Sequence, residues 1–322
     1  MNNPIKIAVD AMGGENSPGK TIKGIKIHIT QTKNIYYNIF GNKYLIEPLI
    51  QKHKIPENIY QIIHTEKLIE DSDSPLTAAK KGKDTSMWLS IESLKNKESD
   101  AIVSAGNTGA LFVIAKLNLK MIEKIEKPAL SALWPNKNGM NVVLDLGANI
   151  ECNDQNLIDF AELGSALYKS LYPLDKPKVA LLNVGSEEIK GTEMLKSASK
   201  RLRDLSSDET FIYNGYIEGN NIMSGESNVI ITDGFTGNIA LKTAEGTAKF
   251  ITRNLKTTLT ENFITKISIL FSYFSLKKFK DKLDPRKYNG AILLGLNGPV
   301  VKSHGGTDAK GFFHSIDLCY RM

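Results

Sequence analysis

The chain has 322 residues, of which 41% are hydrophobic and 24% charged, and its formal net charge is +6. That length fits one large α/β domain or two smaller ones, and the composition excludes disordered and fibrous chains. Two cysteines, Cys152 and Cys319, with no CxxC pair and no clustered histidines, argue against a disulfide framework and against a structural zinc site.

The apolar run in MNNPIKIAVDAMGG is too short for a signal peptide and is broken by Asp10. No stretch reaches the roughly 18 apolar residues of a membrane span. The expected location is the cytoplasm, with peripheral contact to a membrane surface.

Short β-branched runs recur along the chain, each ending in glycine or asparagine. Ile5–Val9 leads into Gly13 and Gly14. Ala101–Ser104 leads into Gly106-Asn107-Thr108-Gly109 and then the helical pattern ALFVIAKLNLKMI. Asn141–Leu146 precedes Gly147 and Asn149, and Lys178–Val184 precedes Gly185-Ser-Glu187-Glu188. Val229–Thr232 leads into Asp233-Gly-Phe-Thr-Gly-Asn238 and the helix IALKTAEGTAKFI. Ala291–Leu294 and Pro299–Lys302 close the series, the latter running into Ser303-His304-Gly305. Strands alternating with helices predict a mostly parallel sheet covered on both faces, with its glycine turns gathered at the strand ends where ligands bind. With no repeat and no linker signal, residues 1–322 read as a single α/β domain.

Several of these turns carry chemistry. Gly14-Glu-Asn-Ser-Pro-Gly19-Lys20-Thr21 matches the phosphate-loop pattern, which makes a phosphate-loop ATPase using 14–21 the alternative function. Pro18 opposes it, because that loop works through consecutive backbone N–H groups and proline has none. Gly106, Asn107, Thr108 and Gly109 open a helix, where exposed N–H groups suit phosphate. Lys242 follows Asp233 and Asn238 by a few residues and could reach the same anion. Lys302, Ser303 and His304 place an ammonium, a hydroxyl and an imidazole beside glycines at a strand end; each of these turns could equally be an ordinary capped or charged turn. Glu187 and Glu188 read as an exposed charged turn.

Residues 252–287 form an outlier. They hold nine basic residues against three acidic ones and so carry the whole charge excess. Phe263, Ile267, Phe271 and Phe274 share one helical arc, and Lys277, Lys278, Lys280 and Lys282 follow it. The element reads either as a packed or dimer-forming helix, or as a protruding element that meets membrane or an acidic partner protein. Nucleic acid is not expected, since the aromatics do not interleave with arginines.

The blocks AVDAMGGENSP, VSAGNTGAL, LDLGAN, NVGSEEIKG, YIEGNNIMSGESNVIITDGFTGNIALKTAEG and DPRKYNGAILLGLNGPVVKSHGGTDAKGF resemble the bacterial acyl-ACP:phosphate acyltransferase family from about Ile5 to Phe313. Glu15 and Asn16 stand where that family more often has aspartate and histidine, and Ser186 stands where an acidic residue is expected. The resemblance implies a Rossmann-like three-layer α/β/α fold with protruding long helices. It implies acyl transfer from acyl carrier protein to inorganic phosphate for phospholipid synthesis, with no cofactor. It also implies a homodimer, peripheral attachment to anionic membrane, and a membrane glycerol-3-phosphate acyltransferase as the next enzyme. On that reading Gly106–Gly109 and Lys242 or Lys302 hold phosphate, Ser303 and His304 serve the oxyanion and the thiol, and Asp233 and Asn238 orient their neighbours.

Overall fold

A computed structural model describes residues 3–206, 211–261, 272–279 and 284–322. The first half contains β1 (Ile5–Asp10), α1 (Gly19–Ile29), β2 (Ile35–Gly41), α2 (Lys43–His53), β3 (Tyr60–His64), α3 (Pro75–Lys81), α4 (Ser86–Lys95), β4 (Ala101–Ser104) and α5 (Thr108–Leu119). There follow β5 (Ala129–Asn136), β6 (Gly139–Leu144), α6 (Asp154–Leu171), β7 (Lys178–Asn183), α7 (Glu193–Leu205), β8 (Ile212–Glu218), β9 (Val229–Ile231) and α8 (Gly234–Thr260). The remainder is α9 (272–279), β10 (Ala291–Leu294), β11 (Val300–Lys302) and α10 (Ala309–Arg321).

The strands form an eleven-stranded sheet in the order β3-β2-β1-β4-β11-β10-β5-β6-β9-β7-β8. Most neighbours are parallel. The exceptions are the β11–β10, β10–β5 and β5–β6 pairings. Three reversals in succession give β6, β9, β7 and β8 the opposite sense to β1, β4 and β11. The glycine turns therefore gather at two strand-end sets, where the sequence pattern predicts one.

Side chains alternate between faces along each strand, and the cores follow that alternation. Ile7 and Val9, Ala101 and Val103, Val142 and Leu144, and Val229 and Ile231 point into one continuous core. Helices α1, α6 and α10 cover that face: Ile22, Phe160 and Phe312 lie fully buried there. Burying each such side chain stabilises the fold by about 1.5–3 kcal/mol. On the opposite face the core is split. Ala8, Ile102 and Val300 pack under α4 and α5, whereas Val143, Ala180 and Ile230 pack with Trp134 and the first turns of α8. The result is three layers, as expected.

Helix α8 runs 27 residues, and only Gly234 and Gly237 of it are buried. At about 1.5 Å per residue it is roughly 40 Å long, and Phe250 and Ile251 on it are exposed. Cys319 is buried with its thiol on the Ile102 carbonyl, and Cys152 is half-buried; neither is in a disulfide. Among the described residues no helix is long and apolar enough to cross a membrane.

Candidate active site

Strand register sets Asp10, Ser104 and Lys302 abreast, each the last residue of its strand. All three share the face of Ala8, Ile102 and Val300, where the core is split. Asp10 is 1% exposed. Its carboxylate accepts the Ser104 hydroxyl at 2.6 Å, the Ser86 hydroxyl at 2.7 Å and the Met12 N–H at 3.3 Å. Burial raises its pKa, and these hydrogen bonds oppose the rise.

Lys302 of this row is joined at the same turn by a second lysine, Lys20. Lys302 is 9% exposed and gives its ammonium to the Ser303 carbonyl; Lys20, at 6%, gives its own to the Gly305 carbonyl. Burial, with the Lys20 charge second, lowers the Lys302 pKa to about 8. Burial likewise lowers that of Lys20, against the pull of Glu15, Asp71 and Asp10. Paired cations so poorly hydrated favour an anion beside them.

Three turns meet here. The Ser303 N–H donates to the Ser104 carbonyl at 2.8 Å, and the Glu15 N–H to the Gly305 carbonyl at 3.1 Å. The contact between the first and second turns leaves no room for side chains. A Cβ at Gly13 would lie 2.5 Å from the Gly106 nitrogen, and one at Gly14 (φ +78°) would lie 2.6 Å from the Ala105 carbonyl oxygen. Gly106 donates its N–H to the Ser104 hydroxyl at 3.1 Å. Thr108 and Gly109 form the first turn of α5, and free N–H groups at a helix start suit an anion in general.

Asn107 is placed differently from the expectation. Its Oδ1 caps α5 by accepting from Ala110 N–H, and its Nδ2 donates to the Asp71 and Asp73 carbonyls at 3.0 and 2.9 Å. Both amide hydrogens are already in use, so its carboxamide shapes the turn and ties down the 71–73 loop. Ser303 lies behind the turn. It is fully buried, and its hydroxyl accepts from Asn289 Nδ2 at 2.9 Å on the side facing α10.

His304 stands exposed at the mouth. Its Nδ1 accepts the Gly306 N–H at 3.1 Å, which places the proton of the neutral ring on Nε2. Burial and then the Lys302 charge hold its pKa below the ordinary range, with Lys242 and Lys249 of α8 adding to this and Glu245 opposing. Lys242 is thus a charged neighbour of the imidazole. It is exposed and ion-paired with Glu245 at 2.9 Å.

Asp233 and Asn238 belong to the other strand-end set. Asp233 caps α8, accepting from the Thr236 N–H and hydroxyl. Asn238 is exposed, and a Cβ at Gly147 would touch it at 3.5 Å. The centre of this second cradle is Asp145, fully buried, which accepts from the N–H groups of Leu130, Gly147, Ala148 and Asn149. Among the described residues no hydrogen bond or ion pair joins Asp233 or Asn238 to the Lys302–His304 turn. Further along the same helix, Lys242, Glu245 and Lys249 come within electrostatic reach of His304. Glu187 and Glu188 pair with Lys190 and Arg203 on an exposed turn.

Phe274, Lys277 and Lys278 lie exposed on α9, Phe274 at 83%. Phe263, Ile267, Phe271, Lys280 and Lys282 fall outside the described residues. Sequence reasoning missed Asp10, Ser86, Ser104 and Asn289 as site residues and met Lys20 only inside the phosphate-loop match. Lys20 does reach the site, but through the Gly305 carbonyl.

Three comparisons bear on identity. A family model described as a fatty acid synthesis protein matches residues 5–322. A phosphate acyltransferase from Pelagibacter ubique is 60% identical over 322 residues, covering all of this chain and 96% of that protein. Among solved structures, a phosphotransacetylase from Streptococcus pyogenes superposes with a TM-score of 0.66 at 17% identity, covering 99% of this chain and 93% of the other. A 4-hydroxythreonine-4-phosphate dehydrogenase from Burkholderia phymatum superposes at 0.52 and 11%, covering 100% and 98%, so the fold alone does not select a chemistry. The full-length match and the level of identity place this chain in the fatty acid synthesis protein family, together with proteins named phosphate acyltransferase.

Proposed function

We propose that the protein transfers an acyl group from an acyl carrier protein thioester to inorganic phosphate, giving an acyl phosphate for phospholipid synthesis. The observation that carries this reading is the row Asp10–Ser104–Lys302 with Lys20 above it: two desolvated ammonium groups and a helix N-terminus face one strand-end cradle. Phosphate is an anion at neutral pH and needs positioning more than activation.

In the reaction an oxygen of hydrogen phosphate attacks the thioester carbon. A C–O bond forms and the C–S bond breaks. The sulfur takes the bonding electron pair and the proton that hydrogen phosphate carried, so the products are acyl phosphate and free carrier thiol. Lys20, Lys302 and the α5 amides hold the phosphate. Lys302, with its pKa near 8, relays the proton to sulfur. The His304 Nε2–H donates to the tetrahedral oxyanion, and a neutral ring suits that role because it can only donate there.

The exposed apolar side chains of α8, Phe235, Ile239, Phe250 and Ile251, support a homodimer built along it. The basic residues of 252–287, including Lys277 and Lys278, support docking of the acidic carrier or of anionic membrane, where a membrane glycerol-3-phosphate acyltransferase would take the product.

The test is incubation with acyl carrier protein thioester and phosphate, measuring free thiol together with hydroxylamine-sensitive acyl phosphate. His304→Ala should lower turnover by about 10²–10³ with an unchanged far-UV spectrum. Thiol release without acyl phosphate would indicate a thioesterase and overturn the reading.

A further inference from the structure

The turn that bears His304 is fastened from three sides. Strand β4 holds Ser303 through backbone, and the 13–15 turn and Lys20 hold Gly305. The third fastening comes from behind, from Asn289, which precedes β10. The His304 N–H donates to Asn289 Oδ1 at 3.0 Å. Asn289 Nδ2 donates to the Ser303 hydroxyl at 2.9 Å and to the Ser315 hydroxyl at 3.1 Å, and the Ser315 hydroxyl donates to the Asn289 carbonyl at 3.2 Å. A backbone N–H can only donate, so the amide orientation is fixed: oxygen toward His304, nitrogen toward the two hydroxyls. Ser303 and Ser315 are fully buried, which leaves this cluster no water to fall back on. Arg286, three residues earlier, bridges Asp284 and Asp308 at 2.7 and 2.8 Å and so holds the two segments together at the other end.

We propose that Asn289 is a positioning residue for acyl transfer, fixing through its carboxamide the backbone from which the His304 imidazole reaches the reacting carbonyl. This rests on the function proposed above. Asn289 touches neither phosphate nor thioester, and its effect passes through His304. Geometry at this level matters because a displacement of about 1 Å in a catalytic group can cost around 10²-fold in rate.

The experiment is a kinetic cycle on the full-length protein with acyl carrier protein thioester and phosphate. Asn289→Ala should lower kcat by about 10–10²-fold while KM for phosphate stays within about twofold, since the lysines are untouched. Asn289→Asp keeps an acceptor for the His304 N–H and can accept from the Ser303 hydroxyl, so it should recover most of kcat. Its added charge should also move the acid limb of the pH profile upward, by stabilising the imidazolium. Asn289→Leu should not recover. In a His304→Ala background, Asn289→Ala should cost less than about threefold more. An undiminished loss in that background, or a loss confined to KM for phosphate, would overturn the assignment. If Asn289→Ala fails to fold, the Asp and Leu variants carry the comparison, and equal activity of those two would overturn it. Failure of the wild-type protein to make acyl phosphate would instead sink the proposed function and is read separately.

Discussion

Lys20 and Lys302 stand at opposite ends of the chain, yet each directs its ammonium at a carbonyl of the same turn, Lys302 to Ser303 and Lys20 to Gly305. Each is destabilised by burial, and the Lys20 charge further lowers the proton affinity of Lys302. The pair stores a repulsion that a bound anion would relieve.

This has a measurable sign. Lys302 falls from its ordinary 10.5 to about 8 in the folded chain. Between those values the unfolded chain binds more protons, so stability should rise as pH climbs from 8 to 10.5, and the full penalty is present below 8. At about 1.4 kcal/mol per unit the penalty is roughly 3 kcal/mol. Lys302→Met should therefore raise the midpoint of thermal unfolding at pH 7 while abolishing phosphate affinity. KM for phosphate, expressed as the hydrogen phosphate dianion, should be flat below pH 8 and rise above it, and Lys302→Arg should shift that rise beyond pH 10. A Met variant less stable than the parent at pH 7 would contradict this account.

Lys20 separates the two readings of the 14–21 segment. Its ammonium lies on the Gly305 carbonyl, and Pro18 before α1 has no N–H to offer a nucleotide. Lys20→Ala should lower kcat/KM for phosphate by about 10-fold or more, the scale of a lost charge-assisted contact. Calorimetry should detect no ATP binding by either form. Stoichiometric ATP binding lost in Lys20→Ala would reinstate the ATPase.

Two glycines of α8 should respond in opposite directions. A Cβ at Gly237 would fall 1.9 Å from the Asp145 carbonyl oxygen, whereas one at Gly246 meets nothing within 4 Å. Gly237→Ala should destabilise by about 1–3 kcal/mol or more. Gly246→Ala should stabilise by up to about 1 kcal/mol through helix propensity. Denaturant titration of both variants checks the pair.

The basic segment should act through charge. Changing Lys277, Lys278, Lys280 and Lys282 together to Glu should weaken binding to acyl carrier protein or to anionic vesicles, and should flatten the salt dependence of what remains. Unaltered co-sedimentation with vesicles and unaltered carrier affinity would remove the segment from both roles.

Much of the scaffold was readable because it is local. Ala101–Ser104 and Ala291–Leu294 are strands with the bounds their β-branched runs predict. Strand β5 was not found, since Pro135 and its polar positions break the pattern, and its pairing with β6 and β10 is what reverses the sheet. That reversal depends on partners far away in sequence. The side-chain directions of Asn107 and Ser303 were hidden for the same reason. Their partners, Asp71 and Asn289, lie 36 and 14 positions away. Residue type announced the chemistry of the turns, while distant hydrogen bonds decided which atoms remained available for it.

The two cysteines have a practical corollary. Burial pushes the Cys319 thiol up, and burial, helped by the Asp145 charge, pushes Cys152 up to about 11. A thiol reacts as its thiolate, so both sulfurs should react slowly at neutral pH. Sulfhydryl liberated during turnover should then be open to continuous titration with a chromogenic disulfide reagent, over a low background from the catalyst.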